Sequence, residues 1–175
     1  MDLSRAYIKI FRYRIQHYDP EKYWTRRALV VDPQAKIPLW LKYYYLYYIK
    51  KCDAFNNASF ATYINEGAQF AEPPYLMHGL NGIIIGKETT IGKKCVMAQQ
   101  VMIQADQGWG GVKIGDNCLI GAGAKILAPS NIGNNVKIGA NAVVKGDIPD
   151  NATVVPQKSR IIINEPHYDN FKDPI

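Results

Sequence analysis

"KIGDNCLIGAGAKILAPSNIGNNVKIGANAVV", residues 113–144, repeats itself every six positions. Counting by six from Ile114 gives Ile120, Ile126, Ile132, Ile138 and Val144. The same count runs through Ile85, Ile91, Met97 and Ile103 ahead of a break. Glycine follows in six cases: Gly86, Gly92, Gly115, Gly121, Gly133 and Gly139. Four residues after the aliphatic stands something small or β-branched: Thr89, Cys95, Val101, Cys118, Ala124, Ser130, Val136 or Ala142. An amphipathic helix would bring apolar residues back at three and four, and a single strand at two. A period of six fits a short strand and a turn per repeat, stacked as a solenoid. The aliphatic residue is then expected to point inward, the glycine to let the backbone turn, and the small residue to fit beside the column. Cys95 and Cys118 occupy small inward slots, so they need no redox role.

Phe70 and Leu76 extend the series backwards. The pattern resembles the hexapeptide repeat of the left-handed β-helix, in which three repeats make one triangular coil. The fold class this implies is an all-β left-handed parallel β-helix with a helical N-terminal segment. Between Ile103 and Ile114 lie 11 steps, five more than the repeat. "QADQGWGGVK", residues 104–113, is therefore expected to bulge from a corner. A solenoid has open ends and needs caps. Residues 1–66 read as a helical region, 67–163 as the β-helix domain and 164–175 as a tail.

The first third has helical spacing. Tyr7, Ile8, Phe11 and Ile15 form one stripe, with Ser4 as N-cap. "DPEKYWTRRALVVD" (19–32) and "IPLWLKYYYLYYIKK" (37–51) read as two further helices, Pro38 sitting where a first-turn proline is tolerated. The apolar run of the last one is too short to span a membrane, which takes about 20 residues. Its Tyr-Trp-Lys mix suits a membrane surface, or packing in a subunit interface or on the repeats.

The net charge of +6 is confined to this region. Residues 1–51 carry 11 Lys/Arg against 4 Asp/Glu, and the remainder 10 against 11. A local surplus of that kind suits an anionic neighbour such as lipid headgroups, a pyrophosphate-linked lipid or an acidic glycan. Nothing in it forms a nucleic-acid reading motif. Three cysteines without framework spacing favour a reducing compartment. The stretch "MDLSRAYIKIFRYRIQ" does not read as a signal peptide. The expected location is the cytoplasm, with a peripheral contact at the inner face of the membrane as one reading of the basic helices.

Within the hexapeptide-repeat acyltransferases, residues 70–163 resemble the serine acetyltransferase branch. "HGLNGIIIG", "QQV", "GAGAKI", "IGANAVVKGDIPDNATVV" and "KSRII" carry the likeness. The spacing of the turn before Gly82 also resembles acetyltransferases encoded with capsule and exopolysaccharide enzymes. The resemblance implies an acetyl-CoA-dependent O-acetyltransferase, without metal, working as a homotrimer. It makes His78 the general base. An imidazole with an ordinary value near 6.5 can take a proton from an attacking hydroxyl at neutral pH. Gln99 matches a glutamine near the reacting centre. Ala122 and Ala140 match positions where small residues admit the pantetheine arm of CoA. Lys145, Lys158 and Arg160 lie where the family binds its phosphates.

The chain departs from serine acetyltransferases in two places. The acid that usually precedes the histidine is Met77, leaving Asp106 or a backbone carbonyl to orient the ring. The loop that normally carries Arg and His contains Gln104, Asp106 and Trp109 instead. Trp109 against a sugar face, with Gln104 and Asp106 on its hydroxyls, would suit a glycan or lipid-linked glycan acceptor. The expected activity is therefore acetylation of a cell-surface polysaccharide or its precursor. Serine acetylation and a non-catalytic scaffold are the alternatives. A zinc enzyme on this fold needs three clustered histidines, and His17, His78 and His167 do not supply them from the repeats.

Overall fold

The computed structural model describes residues 13–104, 110–159 and 161–162. Residues 13–16 are helical, and two longer helices follow. The helix α1 (Pro20–Val31) starts where Asp19 accepts a hydrogen bond from the Lys22 amide at 3.3 Å, a side-chain N-cap. The helix α2 (Leu39–Phe55) opens after Pro38 and runs past the expected Lys51 end to Asn56. Fifteen short strands complete the described chain. β1 (Thr62–Tyr63) and β2 (Glu66–Gly67) form an antiparallel hairpin.

All the other described strands are parallel and build three sheets. One consists of β4 (Tyr75–Leu80), β7 (Val96–Met97), β10 (Leu119–Ile120), β13 (Lys137–Ile138) and β15 (Thr153–Val154). The second consists of β5 (Ile84–Ile85), β8 (Met102–Ile103), β11 (Lys125–Leu127) and β14 (Val143–Lys145). The third consists of β3 (Gln69–Phe70), β6 (Thr89–Ile91), β9 (Val112–Ile114) and β12 (Ser130–Ile132). The chain visits the three sheets in rotation, which is a triangular left-handed parallel β-helix.

The register follows the count by six. Ile120 pairs with Ile138 and Ile126 with Val144, in each case three repeats further along the chain. Met97 pairs with Ile120, a separation of three repeats plus the five extra positions of the corner loop. Leu76 pairs with Met97, a separation of three repeats plus three positions. A short insertion therefore lies just after Leu76, and the backward count by six does not continue from Leu76 to Ile85. The inward aliphatics from Ile85 to Val144 are buried in one continuous core.

The glycines do something other than what the sequence suggested. Gly121 does not turn the chain. A Cβ added there would come within 2.6 Å of the Ala140 nitrogen on the next coil, so glycine is needed for close stacking. The turning falls two residues beyond such glycines, on positive-φ residues such as Asn117, Asn135 and Asn141. Asparagine tolerates that conformation. The stacked amides also bond each other, Asn117 to Asn135 at 2.9 Å and Asn135 to Asn151 at 3.0 Å.

The helices close one end of the prism. Trp24 lies edge-on to Phe60 and Phe70, with ring centroids at 5.5 and 5.0 Å. Arg27 is buried beside them. It donates to Thr62 Oγ1 and to the Phe60 and Ala68 carbonyls at 3.1, 2.8 and 2.7 Å, tying α1 to the first coil. Ser59 bridges to Ile84 and closes the edge of the β5 sheet.

Candidate active site

His78 lies in the insertion, on the extended end of β4. Leu76 and Leu80 flank it at alternate positions, Leu80 fully buried, while Met77 and His78 are exposed. Gly79 and Gly82 hold the following turn with positive φ. Three contacts fix that turn. The Gly82 amide donates to the Asn56 carbonyl at 2.9 Å, Ile83 to Leu80 at 3.0 Å, and Gln100 to Asn81 at 2.9 Å. Asn56, at the C-cap of α2, also donates its side-chain amide to the Gln16 carbonyl at 3.1 Å. The helical cap thus positions the histidine's turn. Its only sign in the sequence is the Asn-Asn pair closing the aromatic helix, which motif matching passes over.

The register brings several candidates together. Leu76, Met97, Ile120 and Ile138 stack in one sheet. Two residues after the last three come Gln99, Ala122 and Ala140, at one corner; in the coil before them the insertion puts Asn81 in that register, and His78 stands on the strand end just ahead of it. Val154 continues the stack, and two residues on is Pro156. One edge of the prism is therefore a file of Gln99, Ala122, Ala140 and Pro156, one coil apart, with His78 on the strand end that leads into its head. The Gln99 carbonyl accepts from the Gly123 amide at 3.0 Å, and that of Ala122 from Asn141 at 2.8 Å, so backbone bonds stitch the file. Ala122 and Ala140 are the small members of the file, and beside them an extended ligand can approach the backbone.

Lys158 stands two residues beyond Pro156 and is exposed. Lys145 ends β14, across the β5–β8–β11–β14 face from the file. Gln104 is exposed just past the far end of β8, so Gln99 and Gln104 stand at opposite ends of the same strand. Within a single chain, one sheet separates the histidine corner from the loop corner. Asp106, Trp109 and Arg160 lie outside the described residues, as does His167. His17 is not part of the file. Its ring packs on Phe55, with centroids 4.2 Å apart.

Residues 111–146 match the family described as bacterial transferase hexapeptide (six repeats). Over 105 residues the chain is 34% identical to a serine acetyltransferase of Helicobacter pylori, covering 58% of this chain and 61% of that one. It also resembles the Neisseria gonorrhoeae serine acetyltransferase solved in complex with serine. That likeness has a TM-score of 0.59 and 26% identity, over 80% of this chain and 54% of that one. A serine acetyltransferase solved in complex with CoA matches at a TM-score of 0.57 and 25% identity, over 75% of this chain and 50% of that one. The chain spans about half the length of the curated relatives it matches. Coil geometry and matched repeats agree on a hexapeptide-repeat left-handed β-helix. These relatives are serine acetyltransferases, which does not support the capsule and exopolysaccharide likeness drawn from the sequence.

Proposed function

We propose that the chain is an acetyl-CoA-dependent O-acetyltransferase of serine acetyltransferase type, with free serine as the leading acceptor. The observation that carries the reading is the file of Gln99, Ala122 and Ala140 on one corner, with exposed His78 on the strand end that leads into it. It sets an exposed imidazole at the head of a track of small residues. The pantetheine arm would lie along that track, its phosphates toward Lys158 and Arg160. His78 takes the proton of the attacking hydroxyl as the new C–O bond forms. The thioester C–S bond breaks, and the proton passes from the imidazole to the departing thiolate. Gln99, on the next coil, would support the reacting centre.

The same reading makes the active unit a homotrimer. His78 and the loop at Gln104 occupy opposite ends of one face, and a neighbouring subunit can bring its loop corner to this histidine corner. Asp106 and Trp109 would enter the site in that way.

A sugar hydroxyl is the second reading. One observation favours it: exposed Met77, not an acid, stands beside His78. The ammonium of a free amino acid would lose a partner there, and an unpaired charge in a closing site is costly.

Steady-state transfer from acetyl-CoA to serine and to a panel of glycans decides between them. Efficient transfer to serine supports the first reading; transfer only to a sugar reverses the order. His78→Ala should lower turnover at least about a hundredfold with either acceptor while CoA binding survives. Near-normal turnover in that variant would sink the proposed role.

A further inference from the structure

The proposed acetyl transfer makes no use of the aromatic run of α2. This helix packs Ile49 and Cys52 inward like an ordinary surface helix but departs from one in its charges and rings. It buries Lys42 and Asp53 and exposes rings. Lys42 Nζ donates to the Asp32 carbonyl at 2.7 Å and to Asn65 Oδ1 at 2.6 Å. Asp53 accepts from the Tyr23 hydroxyl at 2.6 Å. Trp40, Tyr43, Tyr44 and Tyr47 follow the i, i+3, i+4, i+7 spacing of one helical stripe. Trp40 is 69% and Tyr47 68% exposed, with the two rings between them more than half so. Lys51 continues the stripe one turn on, and Lys36 precedes it; both are exposed. The one carboxylate of the helix, Asp53, faces inward. The outer face of α2 is thus a row of rings about 10 Å long, with an ammonium group beyond each end and no carboxylate of its own.

We propose that this face docks peripherally on an anionic lipid surface. Indole and phenol rings have apolar bodies and polar tips, which suit the headgroup layer. The lysines meet phosphate there. No helix among the described residues is long and apolar enough to cross a membrane, so the contact is in the plane of the interface. A second copy of the chain fits this face poorly. Antiparallel packing of two such helices would set Lys51 against Lys36, and parallel packing would set each lysine on its own copy. In neither case does the helix face supply a carboxylate to relieve the repulsion.

Flotation of the full chain with phosphatidylcholine vesicles, with and without phosphatidylglycerol, tests the proposal. The chain should float with the anionic vesicles at low salt and be released at high salt. Trp40→Ser with Tyr47→Ser should weaken binding at least about tenfold without lowering the melting temperature, because both rings stand in solvent. Lys36→Glu with Lys51→Glu should do the same. Absence of flotation with anionic vesicles at low salt would overturn the proposal, as would flotation unchanged by the ring substitutions. So would concentration-dependent association in light scattering that the ring substitutions abolish, since that makes a second copy the occupant. No acetyl transfer is read, so the outcome is independent of the proposed catalytic function.

Discussion

Asp53 carries its carboxyl into the interface between α1 and α2, where one oxygen accepts from Tyr23 and the other has no hydrogen-bond partner among the described residues. Burial pushes it up to about 6; the Tyr23 hydrogen bond, Lys50 and Arg27 pull the other way. Burial also raises Tyr23 well above the ordinary phenol range and lowers the neighbouring Arg27 to about 10. Because the folded value of Asp53 lies above the unfolded one, the folded chain binds the proton more tightly. Its contribution to stability is therefore present in full below the ordinary carboxylate value and is lost as pH rises through about 6. At neutral pH, where the carboxyl is ionised, a shift of that size costs on the order of 3 kcal/mol relative to the protonated form. Asp53→Asn keeps the shape and the acceptor oxygen and removes the charge. It should melt higher than the parent at pH 8, and the gap should close near pH 4. A variant that melts lower at pH 8 would show that the ionised carboxylate is net stabilising. The sequence offered no sign of this site: no local pattern marks Lys42 or Asp53 as facing inward, and Asp53 lies beyond the expected Lys51 end of the helix. Only the packing of α2 on α1 and the β1–β2 hairpin shows that both face inward.

At the scale of the element, the β-helix was legible because each coil repeats one local rule. Aliphatic residues six apart can share a core only if the chain turns between them. The pairing of Ile120 with Ile138 and of Ile126 with Val144 follows directly. The division of labour at the corner was not legible. Glycine after the aliphatic looked like the turning residue, yet stacking distance, a contact between coils, is what demands it. Gly121→Ala tests this. Its Cβ would press on the Ala140 backbone, which cannot yield without separating the coils. A loss of about 1–3 kcal/mol is expected from denaturant unfolding. Asn135→Gly, which keeps the turn and removes a ladder amide, should cost less. Equal losses would return the turning role to Gly121. The insertion that carries His78 escaped the backward count for a similar reason. Leu76 keeps register with Met97, and the extra residues appear only when strands are paired.

At the scale of the molecule, the three faces differ in chemistry. The β3–β6–β9–β12 face turns Gln69, Thr90, Lys113 and Asn131 to solvent. The other two are mixed: one exposes Ile84, Met102 and Val143 with Lys125, the other Tyr75, Val96 and Leu119 with Lys137 and Thr153, wholly or in part. These two faces meet at the corner that carries His78. The histidine was readable from the motif around it, and so was the small-residue track, since both are features of one chain. Acceptor choice was not readable in the same way, because the loop corner stands a full sheet away within a chain. On the proposed assembly its contribution depends on a second subunit. The apolar side chains exposed on these two faces, interrupted by Lys125 and Lys137, are what an assembly covering the proposed site would bury. Replacing Ile84 and Val143 together by Glu puts charge on the outer surface, since both side chains point away from the core. The variant should keep its β-rich circular dichroism yet run as a monomer in light scattering, with acetyl transfer lost. An active monomer would mean that one chain holds a complete site, and that Gln104 and its loop serve no neighbour's histidine.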